Sequence, residues 1–125
     1  MNETEIKKYK DKLLVSDLII EVLSDKKSVP QALAEFPKSE DINIKCAFDA
    51  LVYREADEDL RKKTVDYAQT QDDFLLEIAS ILKKNEDLPN NIIANYLNYN
   101  KYNLISIDEL TIENIIKKIK RMINL

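Results

Sequence analysis

The densest concentration of groups able to do chemistry is the acidic stretch Glu55, Asp57, Glu58 and Asp59. On one continuous helix Glu55 and Asp59 share a face, which presents two carboxylates to a hard cation such as Mg²⁺ or Ca²⁺. Such ions need more oxygens from another element, and Asp72 and Asp73, with Asp66, supply them if the chain folds back after Lys63. Glu55, Glu58, Asp59, Asp72 and Asp73 are therefore the metal candidates, and the chemistry they offer is that of a magnesium-dependent all-α hydrolase. The same residues support a plainer reading. Arg54/Glu58, Glu58/Lys62 and Asp59/Lys63 are spaced for ion pairs along one helix, so a solvated, salt-bridged face accounts for them too.

Cys46 is the one cysteine, in the run Ile44-Lys45-Cys46-Ala47-Phe48. A nucleophilic thiol needs a base or a cation beside it. Lys45 projects about 100° away around a helix, so Cys46 is expected to be a buried apolar filler. Further on, Tyr96, Tyr99 and Tyr102 are interleaved with asparagines and Lys101, a composition that offers stacking and hydrogen bonding to bases or a peptide. The alternative is that these rings shield the junction between the last two helices.

The C-terminal stretch places Ile112, Ile115, Ile116 and Ile119 on one side and Lys117, Lys118, Lys120 and Arg121 mostly on the other. Ile112, Ile116 and Ile119 form a stripe suited to a protein partner or a second copy, and the basic residues are candidates for nucleic acid. Reading of a DNA groove is disfavoured because the N-terminal end of that helix carries Asp108 and Glu109, the wrong charge at the end that reads bases.

Two absences narrow the chemistry further. The chain has no histidine and no glycine. Without histidine, triads and the usual zinc and di-iron sites are excluded. Without glycine, the phosphate loop and the dinucleotide fingerprint are excluded. No cofactor is expected, and most enzyme classes go with these two residue types.

The elements that must position these groups read as helices throughout. A chain of 125 residues, 45% hydrophobic and 34% charged, with a net charge of −4, fits one folded domain without a field that attracts nucleic acid or lipid. Residues 1–5 lack the pattern of a signal peptide, and the apolar run 13–23 is broken by Ser16, Asp17 and Glu21. A cytoplasmic protein that does not enter the membrane is expected, in keeping with a single cysteine.

Asn2 and Glu5 open a first helix running to about Lys26, with Ile6, Tyr9, Leu13, Ile20 and Leu23 as one stripe. Leu14, Val15, Leu18, Ile19 and Val22 widen that stripe until the helix reads as a central, surrounded element. Ser28, Pro30 and Gln31 open a short second helix. Ser39 caps a third, with Ile44, Ala47, Phe48, Leu51, Val52 and Leu60 facing inward.

After a break within 62–71, a fourth helix runs from about Thr70 to Lys84. Asp87-Leu88-Pro89-Asn90 repeats the earlier entry and opens a fifth, and Ser106 with Glu109 opens the last. The left-handed residues that close helices must come largely from Asn, with Asn85, Asn100 and Asn103 well placed.

The expectation is an all-α compact bundle of about six helices over residues 1–125. Residues 19–30 align without gaps on 78–89 at an offset of 59, which allows two related, helical-repeat-like halves, 1–66 and 67–125. The alternative is an irregular bundle with two similar turns. The functional expectation is a non-enzymatic protein–protein interaction or regulatory module. A nucleic-acid-associated protein and a magnesium-dependent hydrolase stand as alternatives.

Overall fold

The computed structural model of the chain describes residues 1–95. Its fold is all-α, with no strand among the described residues. Five helices, α1 (Glu3–Leu23), α2 (Val29–Ala34), α3 (Ile42–Ala56), α4 (Glu58–Lys63) and α5 (Val65–Lys83), precede a helical segment at 90–95. The expectations that fall on 96–125 lie outside the described residues.

α1 starts where the sequence places it. Asn2 Oδ1 accepts the Glu5 N–H at 2.8 Å, and the Asn2 side-chain amide, rather than its backbone N–H, reaches the Glu5 carboxylate. The helix ends at Leu23, short of the expected Lys26, because Asp25 turns left-handed with φ of 60°. Lys26 N–H then reaches back to Glu21 O at 2.8 Å and Asp25 N–H to Val22 O at 3.1 Å, the pair of bonds that closes a helix with a Schellman turn. α5 closes the same way through Asn85, with φ of 58°, the Glu86 N–H on Ile81 O and the Asn85 N–H on Leu82 O. In a chain without glycine, Asp shares with Asn the task expected of Asn, since a short polar side chain tolerates this backbone better than most.

α2 has the expected capping box, with both Ser28–Gln31 bonds formed. α3 begins two residues later than a Ser39 cap requires: Asp41 Oδ1 accepts the Asn43 N–H, and Ser39 Oγ accepts the Asp41 N–H. The expected break within 62–71 falls at Thr64, an extended residue, a second turn that the sequence did not suggest lies at Asp57, and α5 starts at Val65 rather than Thr70. With α3 stopped at Ala56, Leu60 no longer continues its inner face and is 46% exposed, while Ala56 is buried. Phe48 lies at the edge of the core, edge-on to Phe36 with ring centres 5.4 Å apart.

The core gathers Val15, Leu18, Ile19 and Val22 of α1 against Leu75, Ile78, Ala79 and Leu82 of α5, with Ile44, Ala47 and Leu51 of α3 beneath. Each large aliphatic side chain so buried contributes about 1.5–3 kcal/mol. Ser16 Oγ donates to Ala79 O at 2.8 Å and Lys12 Nζ to Asp87 Oδ1 at 3.2 Å, so earlier residues of α1 meet later residues of the chain and the two helices run antiparallel.

Among the described residues, α1 is not surrounded as its composition suggests. α2, α3 and α5 pack on one side of it, and Ile6, Leu14 and Ile20 are 38–40% exposed on the other.

Candidate functional site

The acidic stretch does not converge. Because α3 ends at Ala56 and Asp57 forms the turn, Glu55 and Asp59 belong to different helices and do not share a face; both are exposed. Of the three ion pairs the spacing allows, Glu58–Lys62 forms at 3.4 Å among the described residues. Arg54 turns instead across the bundle to Asp72, at 3.0 Å. The chain does fold back after Lys63, but what it brings to α3 is a carboxylate for arginines.

Asp72 accepts from Arg54 Nε and from Arg61 Nη2, each at 3.0 Å. Arg61 Nη1 also donates to Ala68 O and to Gln71 Oε1, and Gln71 Nε2 donates to Asp57 Oδ2 at 2.7 Å, where the Tyr67 hydroxyl donates too. Burial works against ionising Asp72, but the hydrogen bonds from Arg61 and Arg54 outweigh it and hold its pKa below the ordinary value. This carboxylate is committed to two guanidinium groups, an arrangement that fixes the α3–α4–α5 corner.

Asp73 is exposed and accepts from Gln69 Nε2, on a different face from Asp72. Glu55, Glu58, Asp59, Asp72 and Asp73 are thus spread over separate surfaces. No group of three His, Cys, Asp or Glu side chains able to hold a metal ion occurs among the described residues.

A second polar cluster escaped the sequence reading. Asn43 is buried, and its Oδ1 accepts the Leu88 N–H at 2.8 Å while its Nδ2 donates to Asp41 and Asp87. Lys12, 6% exposed, donates to the same Asp87 oxygen. The hydrogen bond from Lys12, its charge and the bond from Asn43 together hold Asp87 below the ordinary carboxylate pKa.

Asp87 was expected to cap a helix as Ser28 does. The turn after α5 is one residue shorter between its left-handed residue and its apolar anchor, Asn85 to Leu88 against Asp25 to Val29, and the following helix starts at residue 90. Pro89 O receives the first helical N–H, from Ile93, which leaves Asp87 free for α1 and α3. One signal was available: Lys12 lies on the arc of Val15, Ile19 and Val22, and a lysine on a core stripe needs a carboxylate.

Cys46 is fully buried, and desolvation first, then the Asp49 charge, push its thiol up to about 12. It is a packing residue with no nucleophilic character at neutral pH. Tyr96, Tyr99, Tyr102, Ile112, Ile116, Ile119, Lys117, Lys118, Lys120 and Arg121 lie outside the described residues.

Among the described residues, Ile42, Leu60, Val65 and Leu76 are exposed singly on other elements, and the outer face of α1 gathers several exposed apolar groups along one helix. Ile6, Leu14 and Ile20 are exposed there, with Leu13 half-buried beside them and the charges of Lys10 and Asp17 between. No helix among the described residues is long and apolar enough to cross a membrane. Comparison with protein-family models, with curated proteins and with solved structures finds no match for this chain.

Proposed function

We propose that this chain is a non-enzymatic helical module, an adaptor, regulatory subunit or assembly unit that acts through protein–protein contact in the cytoplasm. The observation that carries this reading is the outer face of α1, where Ile6, Leu14 and Ile20 stand 38–40% exposed on the longest described helix. Apolar groups aligned along one exposed helix face suit a partner helix or groove. The polar chemistry points the same way: the strongest clusters, Arg54–Arg61–Asp72 and Lys12–Asn43–Asp87, are spent on joining helices. The free thiol of Cys46 accords with a reducing compartment.

Photo-crosslinking in the producing cell tests this. A crosslinking amino acid in place of Leu14 or Ile20 is expected to give defined protein adducts, whereas the same group at Asp73 or Ser80 of α5 gives none. Equal yields from all four positions would refute the reading.

A further inference from the structure

We infer that the partner on the outer face of α1 is a second copy of this chain, bound with the two α1 helices antiparallel about a twofold axis between Leu13 and Leu14. The inference rests on the interaction reading above and gives its partner. At 100° per residue, Ile6, Lys10, Leu13, Leu14, Asp17 and Ile20 fall within about 120° of arc, roughly opposite the buried Val15, Leu18, Ile19 and Val22. Glu3 and Glu21 lie at the two ends of the same arc along α1, Glu21 held by Lys27 at 3.1 Å, and the stretch from Ile6 to Ile20 between them is self-complementary. Antiparallel pairing about that axis gathers Leu13 and Leu14 of both copies at the centre and sets Ile6 beside Ile20 of the second copy on each flank. It also places Lys10 against Asp17 of the second copy, twice, because the twofold repeats every contact.

The charges decide for a like partner rather than an unlike one. Lys10 and Asp17 are both exposed, and neither has an ionic partner among the described residues, whereas their neighbours Lys7 and Asp11 are paired with each other at 2.8 Å. Two unmatched opposite charges, equidistant from the centre of an apolar arc, are what an isologous helix pair needs to fix its register and direction. A parallel pair would set Lys10 against Lys10 and Asp17 against Asp17. At 21 residues α1 is about 31 Å long. One helix pair of that length lies at the small end of specific interfaces, so the dimer dissociates on dilution.

Light scattering on the purified full chain across a concentration series tests this, with circular dichroism confirming that each variant is helical. The wild type should move from one to two chain masses. Lys10→Asp should weaken self-association about tenfold, equivalent to about 1.4 kcal/mol, and Lys10→Asp with Asp17→Lys should restore it. A wild type that stays at one chain mass at every concentration overturns the inference, and does so without touching the interaction reading if the photo-crosslinks at Leu14 and Ile20 lead to a different protein. A dimer indifferent to the single charge reversal, or not rescued by the double one, overturns it as well.

Discussion

The buried positions of α1 and α5 correspond at an offset of 60: Val15, Leu18, Ile19 and Val22 on one, Leu75, Ile78, Ala79 and Leu82 on the other. The left-handed closing residues, Asp25 and Asn85, keep the same spacing. The ungapped sequence alignment runs at 59 instead, because the turn after α5 is one residue shorter. On the opposite faces the two helices diverge. Where α1 carries Ile6, Leu13 and Ile20, the matching positions of α5 carry Asp66, Asp73 and Ser80, while Leu14 is matched by the half-buried Phe74 and Leu76 of α5 is 49% exposed on another face. Both helices satisfy the same packing demand, so the demand cannot explain why Ile6, Leu13 and Ile20 of one are matched by Asp66, Asp73 and Ser80 of the other. The difference separates what the fold requires of these helices from what it does not.

The largest expected effect breaks the inner faces. Leu18→Ala and Ile78→Ala, each at a fully buried site, should each cost about 2–5 kcal/mol in urea unfolding, from lost transfer energy and the cavity left behind. Similar costs support the equivalence of the two helices; a cost under about 1 kcal/mol at either site would break it.

Next comes the junction that ties α1 and α3 to the turn after α5. Asn43→Ala leaves the buried Leu88 N–H without its acceptor and should cost about 1–3 kcal/mol. Faster hydrogen exchange at the Leu88 amide should accompany the loss.

Acid should then distinguish the two ends of the bundle. Asp72 and Asp87 are both held below the ordinary carboxylate value of 3.8 in the folded chain. Each therefore favours folding at every pH above the unfolded value, and that contribution disappears as pH falls through the lower folded value. Asp72→Asn and Asp87→Asn should each flatten the loss of stability below about pH 4, with Asp72→Asn the larger because Asp72 is half-buried and meets two arginines. Thermal melts from neutral to acid pH read this directly.

The smallest expected effect is on the outer face itself: Ile20→Lys should change monomer stability by no more than about 0.5 kcal/mol. A large loss would show that the fold uses this face after all.

Much of the fold is legible in the residues because its signals are local. The Asn2 and Ser28 caps, the Pro30 entry and the buried face of α5 follow from short-range rules that tertiary contacts do not alter. The misplaced features are those where two local solutions compete and a distant residue chooses. Ser39 and Asp41 are equally good caps, and Asp41 is selected because Asn43 must reach Asp87 and Leu88. A helix through 55–63 has good propensity, yet the turn at Asp57 lets Arg61 and Gln71 meet Asp72 and Asp57.

The metal candidates failed to gather for the same reason: their shared face depended on a helix that tertiary contacts interrupt. Ile6, Leu13 and Ile20 of the outer face of α1 were visible in the stripe Ile6, Tyr9, Leu13, Ile20 and Leu23. Without the neighbours of α1 they could not be told from Leu23, which packs against the core, nor could the exposed Leu14 be told from Val15 and Leu18.

Cysteine cross-linking tests the central claim, that the inner face of α1 folds the chain and its outer face pairs with a copy of itself, most directly. The native Cys46 is buried, so an introduced cysteine reports alone. Under mild oxidation Leu14→Cys, next to the axis, should form a disulfide-linked dimer with itself. Ile6→Cys should not, but should link to Ile20→Cys when the two variants are mixed. Self-linking of Ile6→Cys as readily as Leu14→Cys, or no linking at any of the three sites beyond that of Ser80→Cys on α5, would contradict the account.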